Sequence, residues 1–185
     1  MLERGTHEFG PGSGTLTVHT GRGGAAAKAG HDLRIEVTRW RGTLIVGEQS
    51  SLELRADARS LRVREGSGGI SPLGDQEKAS IEQTIDEEVL EGGDIAFRSS
   101  SVKIDGRRLE VHGELELRGR RAPIEFPLRV EDDRLTGSAM VKQTDFGIKP
   151  YSALFGTLKV ADVVEVAVDA RVPAAVPTVG SEQHG

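Results

Sequence analysis

Leu109, Val111, Gly113, Leu115 and Leu117 alternate with Glu110, His112, Glu114, Glu116 and Arg118. In an extended chain successive side chains point to opposite faces, so this run has one apolar and one polar face. The same period of two recurs in Leu33, Ile35 and Val37, in Leu52, Leu54 and Ala56, and in Ile124, Phe126, Leu128 and Val130. Val164, Val166, Val168 and Ala170 repeat it near the C-terminus, with Glu165, Asp169 and Arg171 opposite. Asp105-Gly106, Arg118-Gly119-Arg120 and Asp132-Asp133 punctuate the runs with hairpin chemistry. Short strands joined by short turns make an antiparallel meander. One apolar face per strand then leaves a sandwich or a closed barrel, and a barrel of about eight strands is wide enough for one small ligand.

One segment breaks the period. Ile81, Ile85 and Val89 recur every fourth residue between Asp75 and Glu91. That spacing predicts a helix over about residues 75–91, capped by Asp75, ended by Gly92-Gly93, and packed against the barrel or plugging one end. The Gly-rich stretch Glu65–Pro72 before it reads as a flexible loop. Residues 1–13 read as a flexible polar arm and 173–185 as a disordered tail, which leaves 14–172 as one barrel domain.

Composition narrows the function more than it names it. A chain of 185 residues is one domain with room for a sizeable core. A net charge of -5 and 4% aromatics supply neither a basic field nor stacking platforms for nucleic acid. The absence of Cys excludes disulfides, zinc-thiolate sites, iron–sulfur clusters and a thiol nucleophile. The five histidines (His7, His19, His31, His112 and His184) have no metal-ligand spacing, so neither a metal nor a cofactor is expected. Residues 1–14 carry no apolar run of the signal-peptide kind, and no stretch approaches the roughly 18 apolar residues of a membrane span. The expected location is therefore cytoplasmic.

Three motifs invite a catalytic reading and lose it to context. Gly21-Arg22-Gly23-Gly24-Ala25-Ala26 fits the dinucleotide fingerprint, but no acidic residue follows at ribose spacing and strands do not alternate with helices. Asp145-Phe146-Gly147 matches the kinase triplet in letters, without a catalytic loop. Glu82, Asp86, Glu87 and Glu88 read as the solvated face of the helix rather than a glycosidase pair. Gly30-His31-Asp32 is the most pointed polar cluster. Neighbours in a strand face opposite ways, so His31 and Asp32 cannot easily work as a pair, and a structural or head-group role is expected.

The stretch Val141-Lys142-Gln143-Thr144-Asp145-Phe146-Gly147-Ile148, followed by Lys159-Val160-Ala161-Asp162-Val163-Val164-Glu165-Val166-Ala167-Val168, resembles the ending of the YceI-like family. Gly113, Leu115, Gly119 and Pro123 match the family's hairpin, and Gly93-Asp94-Ile95-Ala96-Phe97-Arg98-Ser99 is similar to a short family strand. Gly93 stands where the family often has Pro, and an acidic helix replaces the family's usual His-Leu and double-Phe segment. The resemblance implies a lipocalin-like barrel holding a polyisoprenoid, polyprenyl phosphate or isoprenoid quinone in an apolar tunnel, with no catalysis. The aliphatic rows then nominate Leu33, Ile35, Val37, Leu54, Phe97, Leu115, Phe126, Leu128, Phe146, Val166 and Val168 as the lining. Arg22, Lys28, His31, Lys142 and Lys149 are the nominated head-group residues. An exposed barrel edge can support a homodimer. Two other readings stand beside this one: an enzyme acting on a hydrophobic substrate with His31 as base, and an interaction module using the acidic helix.

Overall fold

The computed structural model describes residues 1–24, 28, 30–153 and 158–177. Ala25-Ala26 of the glycine-rich segment, Gly156-Thr157 and residues 178–185 of the expected tail lie outside the described residues. In chain order the strands are β1 (Gly5–Phe9), β2 (Gly14–Thr20), β3 (Arg22–Gly23), β4 (His31–Val37), β5 (Trp40–Val46), β6 (Ser51–Asp57) and β7 (Leu61–Gly68). After helix α1 (Asp75–Thr84) come β8 (Asp94–Asp105), β9 (Arg108–Leu117), β10 (Arg120–Glu131), β11 (Arg134–Lys142), β12 (Ser152–Ala153), β13 (Leu158–Val160) and β14 (Val163–Arg171).

The meander β8–β11 forms as the turn residues predict. Two-residue loops join its strands, with Gly106, Arg118, Gly119 and Asp132 all at positive φ. That backbone matches the right-handed twist of the strands it joins. The main sheet is antiparallel throughout, in the order β1-β5-β6-β8-β9-β10-β11-β14-β2-β4-β7.

The order is open on paper and closed in space. β4 runs into β5 through Thr38-Arg39, and β6 into β7 through a 3₁₀ turn, Ala58–Ser60. The two bent chains stay paired through the corner: Thr38 N donates to Ser60 O at 2.9 Å and Asp57 N to Arg39 O at 3.0 Å. The ladder therefore returns on itself through β2, β4–β5, β6–β7, β8, β9, β10, β11 and β14. The sheet curls into the expected antiparallel β-barrel of about eight strands.

The terminal segments depart from expectation. Residues 5–9 of the expected arm form β1, paired with β5 from Gly5↔Val46 to Phe9↔Gly42. His7 is buried, with Nδ1 2.9 Å from the Pro173 carbonyl and Nε2 2.9 Å from the Glu3 carbonyl. Thr6 and Val176 exchange backbone hydrogen bonds of 2.9 Å, which holds the start of the expected tail. Polar composition hid these pairings, because an edge strand needs backbone partners more than apolar side chains.

The helix is present but differs at both ends. Gly74, not Asp75, occupies the cap position, with no side-chain cap. After Thr84 the chain widens into a π-type turn, Ile85–Val89, closed by Leu90 N to Ile85 O at 2.8 Å. Glu91 and Gly92 at positive φ then end it. The helix covers the outer side of β7, which has no strand neighbour there. Glu82 Oε1 accepts the Val63 N–H at 2.8 Å, so a side chain satisfies a strand-edge donor.

Candidate functional site

The inward rows of the barrel enclose a cavity of about 570 Å³. Most wall positions come from period-two rows. β4 supplies Leu33, Ile35 and Val37, β6 supplies Leu52, Leu54 and Ala56, and β14 supplies Val164, Val166 and Val168. Phe97 and Phe126 meet inside at 5.3 Å between ring centroids, tilted by 58°. Gly113, across the ladder, makes room for this pair: a Cβ there would stand 2.6 Å from the Phe97 ring. The fourth wall is helical. Ile81 and Ile85 from α1 and its extension, with Val89, face the same space.

The strand register gives the cavity two unlike ends. Toward Arg108, Glu131, Arg134 and Arg171, the side chains of Leu109, Val111, Val130 and Ala170 are buried but do not line the cavity. That end is closed by buried side chains, with Leu135, paired with Val130 and Ala170, as its last lining residue. At the opposite end Thr20, Arg22, His31, Gln143 and Tyr151 join the wall. Tyr151 is 49% exposed, which marks this end as the mouth.

The long β11–β14 connection shapes the mouth. A 3₁₀ turn, Gln143–Phe146, ends at Gly147, whose φ of 67° a residue with a Cβ adopts only with strain. Asp162 clamps the turn from the other strand. Its Oδ1 accepts Thr144 N at 2.9 Å and its Oδ2 accepts Thr144 Oγ1 at 2.6 Å. The Thr144 hydroxyl chiefly holds the Asp162 carboxyl below the usual carboxylate range, helped by nearby backbone N–H groups and Lys142. A depressed folded-state pKa stabilises the fold above the unfolded carboxylate range and loses that effect as pH falls through the folded value. Asp162→Asn is therefore expected to lower the melting temperature near neutral pH and to converge with the unmodified chain as pH falls below the usual carboxylate range. Thermal melts across that range check this; a gap that widens on acidification would refute it.

Most nominated residues converge on the cavity. Leu33, Ile35, Val37, Leu54, Phe97, Leu115, Phe126, Leu128, Val166 and Val168 all line it. Phe146 does not. It is 1% exposed and lies in the 3₁₀ turn beside β10, where the two-residue period no longer applies, so it fills core instead. Arg22 and His31 lie at the mouth. Lys142 alternates with the lining Val141 and so points outward, while Lys28 and Lys149 are exposed and outside the wall. Trp40 and Leu44 of β5 are lining residues not anticipated from sequence, although Trp40, Gly42 and Leu44 follow the same alternation.

His31 and Asp32 are separated as strand geometry requires. Asp32 Oδ1 accepts Arg22 Nε at 3.1 Å, while His31 Nε2 stands 2.7 Å from the Ser71 carbonyl oxygen. Among the described residues no three His, Asp or Glu side chains gather as a metal site. What the arrangement offers is an enclosed apolar volume with a polar rim.

A family model for the YceI-like domain matches residues 17–172. The chain belongs to the YceI-like family. The YceI-like fold is also that of solved relatives at low identity. The crystal structure of BcnA from Burkholderia cenocepacia superposes with a TM-score of 0.60 at 16% identity, covering 86% of this chain and 96% of that one. The YCEI protein of Campylobacter jejuni gives 0.56 at 11% identity, covering 76% and 84%. No curated protein sequence matches the chain. In this YceI-like domain no described helix is long and apolar enough to cross a membrane.

Proposed function

We propose that this protein binds and carries a long-chain amphiphilic lipid of the isoprenoid class, with no turnover of its own. The observation that carries the reading is the cavity: about 570 Å³, walled by aliphatic and aromatic side chains and open at a polar mouth. Burying a hydrocarbon chain there releases about 0.8 kcal/mol per methylene-sized group, so an apolar tail binds with few polar contacts. Membership of the YceI-like family supports the same reading.

One observation favours an enzyme instead: His31 lines the cavity, as a catalytic base must. No carboxylate among the described lining residues stands with it, and Asp32 is bonded to Arg22. His31→Ala that binds lipid normally would remove that alternative. The interaction-module reading loses its basis, because Ile81, Ile85 and Val89 face the cavity rather than solvent.

Native mass spectrometry of freshly purified protein, with extraction and mass analysis of released material, tests the carrier reading. A co-purifying isoprenoid, or stoichiometric uptake of an added polyprenol or quinone, is expected. A clean apo mass that no such lipid changes would overturn it.

A further inference from the structure

The lipid reading leaves the head group open, and the mouth constrains it. Among the described residues lining the cavity only Arg22 carries a permanent charge, and none is a carboxylate. Two nitrogens of that guanidinium are already engaged. Its Nε donates to Asp32 Oδ1 at 3.1 Å and its Nη1 donates to the Gly30 carbonyl at 2.9 Å. It also lies against the backbone of Gly68, where an added Cβ would stand 2.4 Å from Nη1. Asp32 thus offsets the one fixed positive charge of the described wall. Lys28, Lys142 and Lys149 are exposed and do not line the cavity.

The other described polar side chains of the mouth, Thr20, His31, Gln143 and Tyr151, offer hydrogen-bonding groups. The Ser71 carbonyl can only accept, so the 2.7 Å contact puts a proton of His31 on Nε2 and leaves Nδ1 to face other partners. Gln143 Nε2 donates to the Ala161 carbonyl at 3.0 Å, which leaves its Oε1 as an acceptor. The Tyr151 hydroxyl adds a group that both donates and accepts. Such a rim satisfies a hydroxyl or a ketone. A phosphate brought to it would give up water and find the one cation of the described wall neutralised, so its desolvation is poorly compensated.

We infer that the cavity takes an isoprenoid lipid with an uncharged, hydrogen-bonding oxygen head, and that the Arg22–Asp32 pair discriminates against a phosphorylated head on the same tail. This rests on the lipid reading above and adds the head-group class to it.

The test uses the full chain and three probes with one tail: geranylgeraniol, geranylgeranyl phosphate and geranylgeranyl diphosphate. Trp40 is the single tryptophan and lines the cavity, so its emission reports occupancy directly. The alcohol is expected to bind about tenfold or more tighter than either phosphorylated probe. Asp32→Asn frees the guanidinium and is expected to raise phosphate affinity by about tenfold with alcohol affinity unchanged. Circular dichroism of the variant checks that the barrel is retained, and the comparison on the unmodified chain decides the matter alone if it is not. A phosphorylated probe that binds the unmodified chain as tightly as the alcohol would overturn the inference while leaving the lipid reading standing. Silence of Trp40 toward all three, with no uptake by mass, would bring down the lipid reading and this inference with it.

Discussion

Replacing Ala139 with Trp is expected to remove ligand uptake while the barrel stays folded. Ala139 lies on β11 opposite Val166, and both line the cavity. An indole at that point projects into the roughly 570 Å³ that the tail would occupy. Overpacking a filled core costs about 1–3 kcal/mol, because neighbours must leave their rotamers. Here the new side chain enters empty space, so its burial offsets that cost. Uptake of a polyprenol, read by native mass spectrometry, is expected to fall by about tenfold or more. The melting temperature of the apo protein is expected to stay level or rise. An unchanged ligand complement in Ala139→Trp would mean that the tail lies somewhere other than this cavity.

The second large effect is on stability and divides the barrel into its two ends. Leu109 is 0% exposed, sits in the closed end and does not border the cavity. Leu109→Ala removes close contacts on every side and leaves a hole, at a cost of about 3 kcal/mol. Val166 faces the cavity, so part of its surface already lacks a protein neighbour. Val166→Ala forfeits fewer contacts and is expected to cost about 1 kcal/mol or less in the apo protein. Urea denaturation of the two variants measures the difference. Equal costs per carbon removed would show that Val166 is packed as tightly as Leu109 and that the barrel is not hollow there. Adding a bound lipid should penalise only the Val166 variant, because only that side chain would touch the tail.

The ion pairs on the outer face carry little of this. Arg134 with Asp169, and Arg121 with Glu116, join exposed side chains across neighbouring strands. Such exposed pairs contribute about 0–1 kcal/mol each. They favour the observed register and keep the outer face polar, while the inward rows supply the burial that stabilises the fold.

How far the sequence is legible depends on the element. Val164, Val166 and Val168 could be assigned to one face from spacing alone, because a strand's pleat decides which way each Cβ points. The same reasoning could not place Phe146, since a 3₁₀ turn replaces the strand between Lys142 and Gly147 and its period is no longer two. Lys142, Lys149 and Lys28 were nominated because they flank loops, and being near a loop in sequence says nothing about which side of the wall a cation takes. β1 escaped notice because its stability comes from backbone pairing with β5 and from Thr6 with Val176, partners far away in the chain.

The alternation of residue types determined that this chain makes antiparallel sheet with one apolar face per strand, and it determined which side chains share that face. Both follow from local backbone geometry, which the order of residues encodes directly. Three things were decided only in the folded structure. One is that the ring closes through the bent β4–β5 and β6–β7 chains. Another is that the interior is hollow at one end and closed by buried side chains at the other. The third is that Arg22 is paired with Asp32. Each depends on a sum over distant parts. The circumference is set by strand number and stagger, the void by how far side-chain volumes fall short of it, and the pairing of a charge by which strand end arrives beside it.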